Sequence, residues 1–389
     1  MFLGRGLDKV SKPLYFYVLE HELFHIIFYR KRDLEVRNMN TDLYETLKMV
    51  APGTQIRDGL DNIINAKTGA LIVIGNTKEL LDIVHGGFYI NCEYSPSYIY
   101  ELAKMDGAII ISSDCKKILY ANAQLLPCQR IVSKETGTRH KTAERVAKQT
   151  NTLVIAISKR RQIITLYKSN YKYILKDINE ILSKANQAVQ TLEKYKETLD
   201  YAMNNLTILE FKNSVTLYDI TKTIQKIEMV WRIGNEINMY ISELGTEGRL
   251  LNMQVVELMD GVKKDRISLI KDYMNEECKD YTSICEEISM LDSGELLKLN
   301  RIAKILGYDK GLNTLDIIVE SKGYRILGKI PRIPYNVLEN VIKTFGSLQN
   351  IIEASPSKLE LVEGIGQART ISIIEGLKRY QEQFNFNKI

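Results

Sequence analysis

Apolar positions along the chain fall into three regimes. From about Leu47 to residue 170, short β-branched runs alternate with stretches of helical spacing. The runs are ALIVIGN (Ala70–Asn76), GAIIISS (Gly107–Ser113), TLVIAIS (Thr152–Ser158) and QIITLY (Gln162–Tyr167). Continuous apolar runs of this length suit central strands buried on both faces. With helices between them they predict a layered α/β domain with a mixed central sheet. Ahead of the first run, LKMVAPGTQIRDGLDNIINA predicts helix, turn, helix, with Pro52-Gly53 as the break and Thr54 as N-cap.

The second regime is helical. Ile178, Ile181, Ala185, Ala188, Leu192, Tyr195, Leu199, Ala202, Leu206 and Leu209 recur at spacings of three and four, the seam of a coiled-coil-like spine. Helical patterning continues to about residue 308. The third regime, from about Gly323, consists of short helices and tight turns. GKIPRIP (Gly328–Pro334) and VEGIGQAR (Val362–Arg369) mark two copies of a small helix–turn–helix unit. The expected division is an N-terminal extension over 1–46, an α/β domain over 47–170, an all-α spine over 171–319 and a small all-α domain over 320–389.

Composition adds limits. A chain of 389 residues with 45% hydrophobic and 26% charged residues suits several globular domains. A net charge of +5 permits nucleic-acid or nucleotide contacts without demanding them. No apolar run reaches the roughly 18–20 residues of a membrane span. Cys92, Cys115, Cys128, Cys278 and Cys285 form no metal or redox spacing, which points to reduced thiols and a cytoplasmic protein. His21-Glu22-Leu23-Phe24-His25 matches the H-E-x-x-H zinc pattern. Catalytic zinc needs a third ligand, and the chain's other histidines are only His85 and His140, so coincidence is the expectation.

Candidate chemistry concentrates at Gly137-Thr138-Arg139-His140-Lys141-Thr142, which opens the helical segment AERVAKQT. Backbone amides, hydroxyls and cations at a helix start favour phosphate; a capped basic surface helix is the alternative. Asp106-Gly107-Ala108, at a strand entry, offers a carboxylate for a divalent metal beside a glycine that lets a ligand approach.

Together, Asp106-Gly107-Ala108 and the later GTRHKTAERVAKQT resemble the diadenylate cyclase domain family, with its Asp-Gly-Ala and Arg-His-Arg motifs. ILYANAQLLP (Ile118–Pro127) and AISKRR (Ala156–Arg161) are similar too, and the domain order resembles the family's DNA-integrity-scanning branch. The usual second arginine is Lys141 here, which keeps the charge but not the bidentate fork. The resemblance implies that two cyclase domains face head to head and condense two ATP into cyclic di-AMP. Asp106 would bind Mg²⁺ or Mn²⁺. Thr138, Arg139, His140, Lys141 and Thr142 would hold the triphosphate, with Asp106, Arg139, His140 and Lys141 as the catalytic group. Gly107 and Leu125 would meet the nucleoside through backbone atoms, and Ser158 would support the phosphates.

The C-terminal units resemble tandem helix-hairpin-helix motifs. Gly364, Ile365 and Gly366 would form a hairpin reading DNA phosphates, assisted by Lys358 and Arg369. The first unit lacks the glycines and is expected to be structural. Ten Lys/Arg against seven acidic residues from Glu320 onward make weak binding per copy, so several copies would act through avidity. The resemblance implies an octamer whose synthesis is lowered by branched DNA such as a Holliday junction. The rival reading is a DNA-structure-binding protein whose nucleotide domain senses ATP or cyclic di-AMP with little catalysis.

Overall fold

The computed structural model describes residues 42–386 apart from 276–279, 309–310 and 312. Most of the N-terminal extension, with the His21–His25 pattern, lies outside the described residues, as does Cys278. The described residues form two compact units: one up to Glu180 together with Ser242–Gly248, the other Ile181–Ile241 and from Arg249 onward. No helix among them is long and apolar enough to cross a membrane.

In the first unit α1 (residues 42–49) crosses position 47 and is tied to the sheet by Thr46, whose hydroxyl lies 2.9 Å from that of Tyr171. Helix α2 (Gln55–Asn65) starts where expected, with the Thr54 hydroxyl accepting from Arg57 N–H. There follow β1 (Ala70–Ile74), α3 (Lys78–Leu81), β2 (Val84–His85), β3 (Phe88–Glu93), α4 (Pro96–Leu102), β4 (Ala108–Ile111), β5 (Lys117–Leu125), α5 (Thr138–Thr150), β6 (Leu153–Ser158), β7 (Ile163–Lys168) and β8 (Tyr171–Ile174). One mixed sheet runs β2-β5-β4-β1-β6-β7-β8, with β3 also on β5. Only β1 and β4 pair in parallel; the other pairings are antiparallel.

Every residue of β1 and β4 is buried, which is why these strands read as unbroken apolar runs. Leu71, Val73, Ala108, Ile110, Val154 and Ala156 pack with Ala143, Val146 and Ala147 of α5. Alternation turns Ile72, Ile109, Ile111, Ile155 and Ile157 to the other face, where they are buried as well.

The second unit is all-α. Its long helices are α6 (Ile178–Phe211) and α7 (Leu217–Leu244), followed by α8 (Arg249–Leu258), α9 (Val262–Tyr273), α10 (Tyr281–Met290), α11 (Ser293–Leu296) and α12 (Leu299–Ile305). The C-terminal part holds α13 (Tyr324–Leu327), α14 (Tyr335–Phe345), α15 (Leu348–Ile352), α16 (Pro356–Glu360) and α17 (Gln367–Phe386).

The buried seam of α6 differs from the apolar one read in the sequence. Ala185, Leu192, Leu199 and Leu206 are buried, but the companion column is Val189, Met203 and Glu210 rather than Ala188, Tyr195, Ala202 and Leu209. Glu210 makes the difference. Its carboxylate pairs with buried Arg325 and accepts from Tyr273 Oη at 2.6 Å. Asp272, also buried, accepts from the backbone N–H groups of Tyr324 and Arg325. Burial and the Glu210 charge push the Asp272 carboxyl well above the usual carboxylate range.

The two C-terminal units repeat at 32 residues. Leu327 corresponds to Leu359, Ile330 to Val362 and Val341 to Ile373, all buried in one core. The bonds Ile330 N–H to Leu327 O and Leu338 N–H to Pro334 O recur as Val362 to Leu359 and Thr370 to Gly366. Arg332 therefore stands where the second hairpin has Gly364, and both are left-handed, at φ 68° and 87°. The first hairpin keeps the turn without the glycine, at a cost of about 1–2 kcal/mol of backbone strain.

Arg325→Ala should destabilise the second unit by on the order of 3–5 kcal/mol, because it strands a buried carboxylate. Chemical denaturation checks this; a loss below about 1 kcal/mol would show that the Glu210 carboxylate finds another partner.

Candidate functional site

Strand register brings the predicted residues to one end of the first unit's sheet. Leu71 pairs with Ala108, so Asp106 and Gly107 precede β4 beside Gly69. Ala70 pairs with Ile157, which puts Ser158 at the same end, and Ala108 pairs with Ala123, which puts Leu125 there. Gly107 is left-handed at φ 101°, and a Cβ on it would stand 2.8 Å from the Asn122 carbonyl carbon. Only glycine allows this approach. Opposite it, Asn122 is itself left-handed at φ 53°, where β5 shifts register against β4.

Helix α5 begins at this end without a side-chain cap. Its first backbone bond runs from Lys141 N–H to Gly137 O. The N–H groups of Thr138, Arg139 and His140 are therefore available to an anion. The Arg139 guanidinium lies across Gly69 and donates to Ile157 O at 3.3 Å; a Cβ on Gly69 would sit 2.3 Å from its Nη1. Lys141 and Thr138 are exposed, and Thr142 is half-buried.

The loop leading into α5 is stitched to the helix by side chains. Glu144 accepts from Ser133 Oγ and Lys134 N–H, Arg145 donates to Ile131 O and Gln129 O, and Lys148 donates to Val132 O. These bonds set where the Thr136-Gly137 turn delivers the helix start.

His140 is half-buried, with Nδ1 3.0 Å from the hydroxyl of fully buried Tyr167. Burial pushes its pKa down, as do Lys172, Arg139 and Arg161, against the opposite pull of Glu135. Glu135 pairs with Lys172 at 2.5 Å. Although burial opposes it, the Lys172 and Tyr167 hydrogen bonds hold the Glu135 carboxyl below its ordinary value. Ser158 O accepts from Gln162 N–H and its Oγ from Arg161 N–H, closing a turn that exposes Lys159, Arg160 and Arg161.

Asp106 is exposed, with no hydrogen bond or ion pair among the described residues. Those residues include no group of three or more His, Cys, Asp or Glu able to hold a metal. A lone carboxylate fits an ion that keeps several waters and takes its remaining oxygens from substrate phosphates, the habit of Mg²⁺. Sequence reasoning missed Gly69, Glu135, Tyr167 and Lys172. Gly69 carried a signal, a glycine directly before a buried strand; the other three carried none.

In the second hairpin Ile365 is buried in the C-terminal core, and a Cβ on Gly364 would stand 3.0 Å from Val337. Gly366 faces open space. Arg369 Nη1 donates to Gly364 O at 2.5 Å, so this cation braces the hairpin. Lys358 is exposed at the end of α16.

A model described as the DisA bacterial checkpoint controller nucleotide-binding region matches residues 57–171, and one for the DisA linker region matches 175–315. The DNA integrity scanning protein DisA of Clostridium botulinum (strain Alaska E43 / Type E3) is 56% identical over 344 residues, 88% of this chain and 97% of that protein. Its counterpart in Clostridium tetani (strain Massachusetts / E88) is 55% identical over 349 residues, 90% and 96% of the two chains. A solved structure of DacA from Staphylococcus aureus, a double mutant, aligns over 38% of this chain and 94% of that one. Its identity is 21% and its TM-score 0.27.

Gly69→Ala should displace the Arg139 guanidinium while sparing the fold, because the nearest atom met is the end of a flexible side chain. The expected result is about tenfold weaker ATP binding by calorimetry, the size of one charge-assisted hydrogen bond. Unchanged affinity would mean that Arg139 does not meet the nucleotide from this position.

Proposed function

We infer the reaction from one premise: the chain belongs to the DisA family, and it is a diadenylate cyclase that takes ATP to cyclic di-AMP. We propose the division of labour among its residues as follows. The observation that carries it is the uncapped start of α5, with Arg139 across Gly69, at the sheet end that also bears Asp106 and Gly107.

Each of two cyclase domains, paired head to head, holds one ATP. The helix amides, Thr138, Arg139, His140, Lys141 and Thr142 hold the triphosphate. Gly107 and Leu125 present backbone to the nucleoside, and Ser158 closes the phosphate side. The 3′-hydroxyl of each nucleotide attacks the α-phosphate of the other, one P–O bond forms as another breaks, and pyrophosphate leaves. Arg139 and Lys141 stabilise the charge growing on that leaving group. A divalent ion on Asp106, Mg²⁺ or Mn²⁺, when bound lowers the hydroxyl's pKa and neutralises charge at the α-phosphate. The rest is positioning, as in phosphoryl transfer generally.

We further propose residues 47–170 as the cyclase domain, 171–319 as a spine for octamer assembly and 320–389 as the DNA-binding domain. In that last domain Gly364 and Gly366 offer backbone amides to DNA phosphates, Ile365 anchors the hairpin in the core with its own N–H on Val362 O, Lys358 adds charge and Arg369 braces the turn. Binding of branched DNA lowers synthesis, the basis of a DNA-integrity checkpoint in the cytoplasm.

Asp106→Asn should abolish cyclic di-AMP while ATP still binds, as read by chromatography and mass spectrometry of products. Equal product from the variant would overturn the metal assignment. Absence of product from the wild type with either metal would favour a DNA-binding nucleotide sensor, with Lys141 as the cause. Saturating Holliday-junction DNA should slow turnover of the wild type severalfold; an unchanged rate would remove the proposed regulation.

A further inference from the structure

Two cavities of the second unit differ in how their charges are matched. One, of about 270 Å³, is lined by Lys196, Asp200, Asp265 and Lys329, and there Lys196 pairs with Asp200 and Lys329 with Asp265. The other, of about 400 Å³, lies against α12 and is lined by Lys298, Asn300, Arg301 and Lys304, with no acidic side chain among the described residues of its wall. Lys298 and Arg301 make no side-chain hydrogen bond or ion pair among the described residues. A concave, unmatched positive surface attracts an anion.

The local sequence explains the arrangement. Lys298 is the N-cap residue of α12, and Arg301 and Lys304 follow at spacings of three. Ile302, Ala303 and Leu306 are fully buried, which turns the three cations to solvent, and all three are exposed. Six residues of helix rise about 9 Å. Phosphates along one strand of a DNA duplex recur every ~3.4 Å of its axis, so the row is long enough to meet two or three of them. A pocket for one small ligand instead converges a few polar groups on an apolar cavity.

The end of α12 is also tied to the entry of the C-terminal domain. Asn275 donates to it twice, from N–H to Leu306 O at 3.0 Å and from Nδ2 to Gly307 O at 3.1 Å. Lys322, at the head of the first hairpin unit, donates to the carbonyl of the preceding residue, Met274, at 3.2 Å. We infer that Lys298, Arg301 and Lys304 form a second DNA-phosphate contact, outside the hairpins, on which one strand of a bound duplex lies. This rests on the proposed DNA binding and goes beyond it. A mildly basic hairpin domain gains a second point of attachment on the same protomer, so the two contacts act together.

The test is fluorescence anisotropy of labelled duplex DNA with the full-length protein over a range of salt concentrations. Replacing Lys298, Arg301 and Lys304 together by Gln should weaken binding about tenfold and lower the slope of log affinity against log salt by about two to three. A charge-matched control replaces the exposed Lys194, Arg249 and Lys263 by Gln and should stay close to the wild type. Unchanged affinity and slope in the first variant overturn the inference while hairpin binding stands. An equal loss in the control overturns it too, because net charge then explains the effect. In the wild type, DNA should shield Lys298 from acetylation, read by mass spectrometry. Shielding by ATP or pyrophosphate alone would make the cavity a nucleotide site and overturn the DNA reading of it. Failure of the wild type to bind DNA at all sinks the proposed DNA binding together with the inference.

Discussion

The pairing of β1 is the constraint on which the nucleotide site depends. This strand is parallel to β4 and antiparallel to β6, so the beginnings of β1 and β4 and the end of β6 share one end of the sheet. Asp106, Gly69 and Ser158 come from three distant parts of the chain, and this arrangement alone aligns them. A one-residue slip would turn Ile72 and Val73 to the wrong faces, so burial on both sides fixes the register. The site inherits its precision from hydrophobic packing that takes no part in the chemistry.

Polar groups then refine what the sheet sets coarsely. Glu144, Arg145 and Lys148 hold the incoming loop along α5 and so aim the helix start. Lys172 holds Glu135 of that loop, and the Tyr167 hydroxyl meets His140 in the first turn of α5. In the second unit, Glu210, Arg325 and Asp272 join segments far apart in sequence through buried charge. Such a cluster ranks low as a source of net stability, but it admits few alternative partners.

The sequence was legible where one physical effect dominated. The four runs predicted as strands became β1, β4, β6 and β7, because burial on both faces requires unbroken apolar residues. Strands β2, β3, β5 and β8 escaped notice: β2, β3 and β8 are half-exposed, and β5 mixes buried and exposed positions instead of forming an unbroken apolar run. The motif residues Asp106, Gly107 and Thr138 to Thr142 stood out by type and spacing. Tyr167 looked like core and Glu135 like loop, because a hydrogen bond between distant residues leaves no periodicity. The α6 seam was misread by one position for a similar reason: Glu210 counts as a surface residue until Arg325 is known to meet it. The two hairpins were legible as copies, but not that Arg332 takes the left-handed turn position of Gly364, as turn chemistry normally calls for glycine at that φ.

The central place of β1 has a consequence during synthesis. Ile72 pairs with Ile155, 83 residues later in the chain. At about 5–20 residues per second, the ribosome delivers that partner roughly 4–17 s after β1 has been made. Throughout that interval the run ALIVI is an apolar strand with one edge open, the kind of segment that seeks the nearest unpaired neighbour. A strand buried throughout in the finished domain is thus an exposed stretch of the nascent one, and its protection falls to whatever first receives the emerging chain.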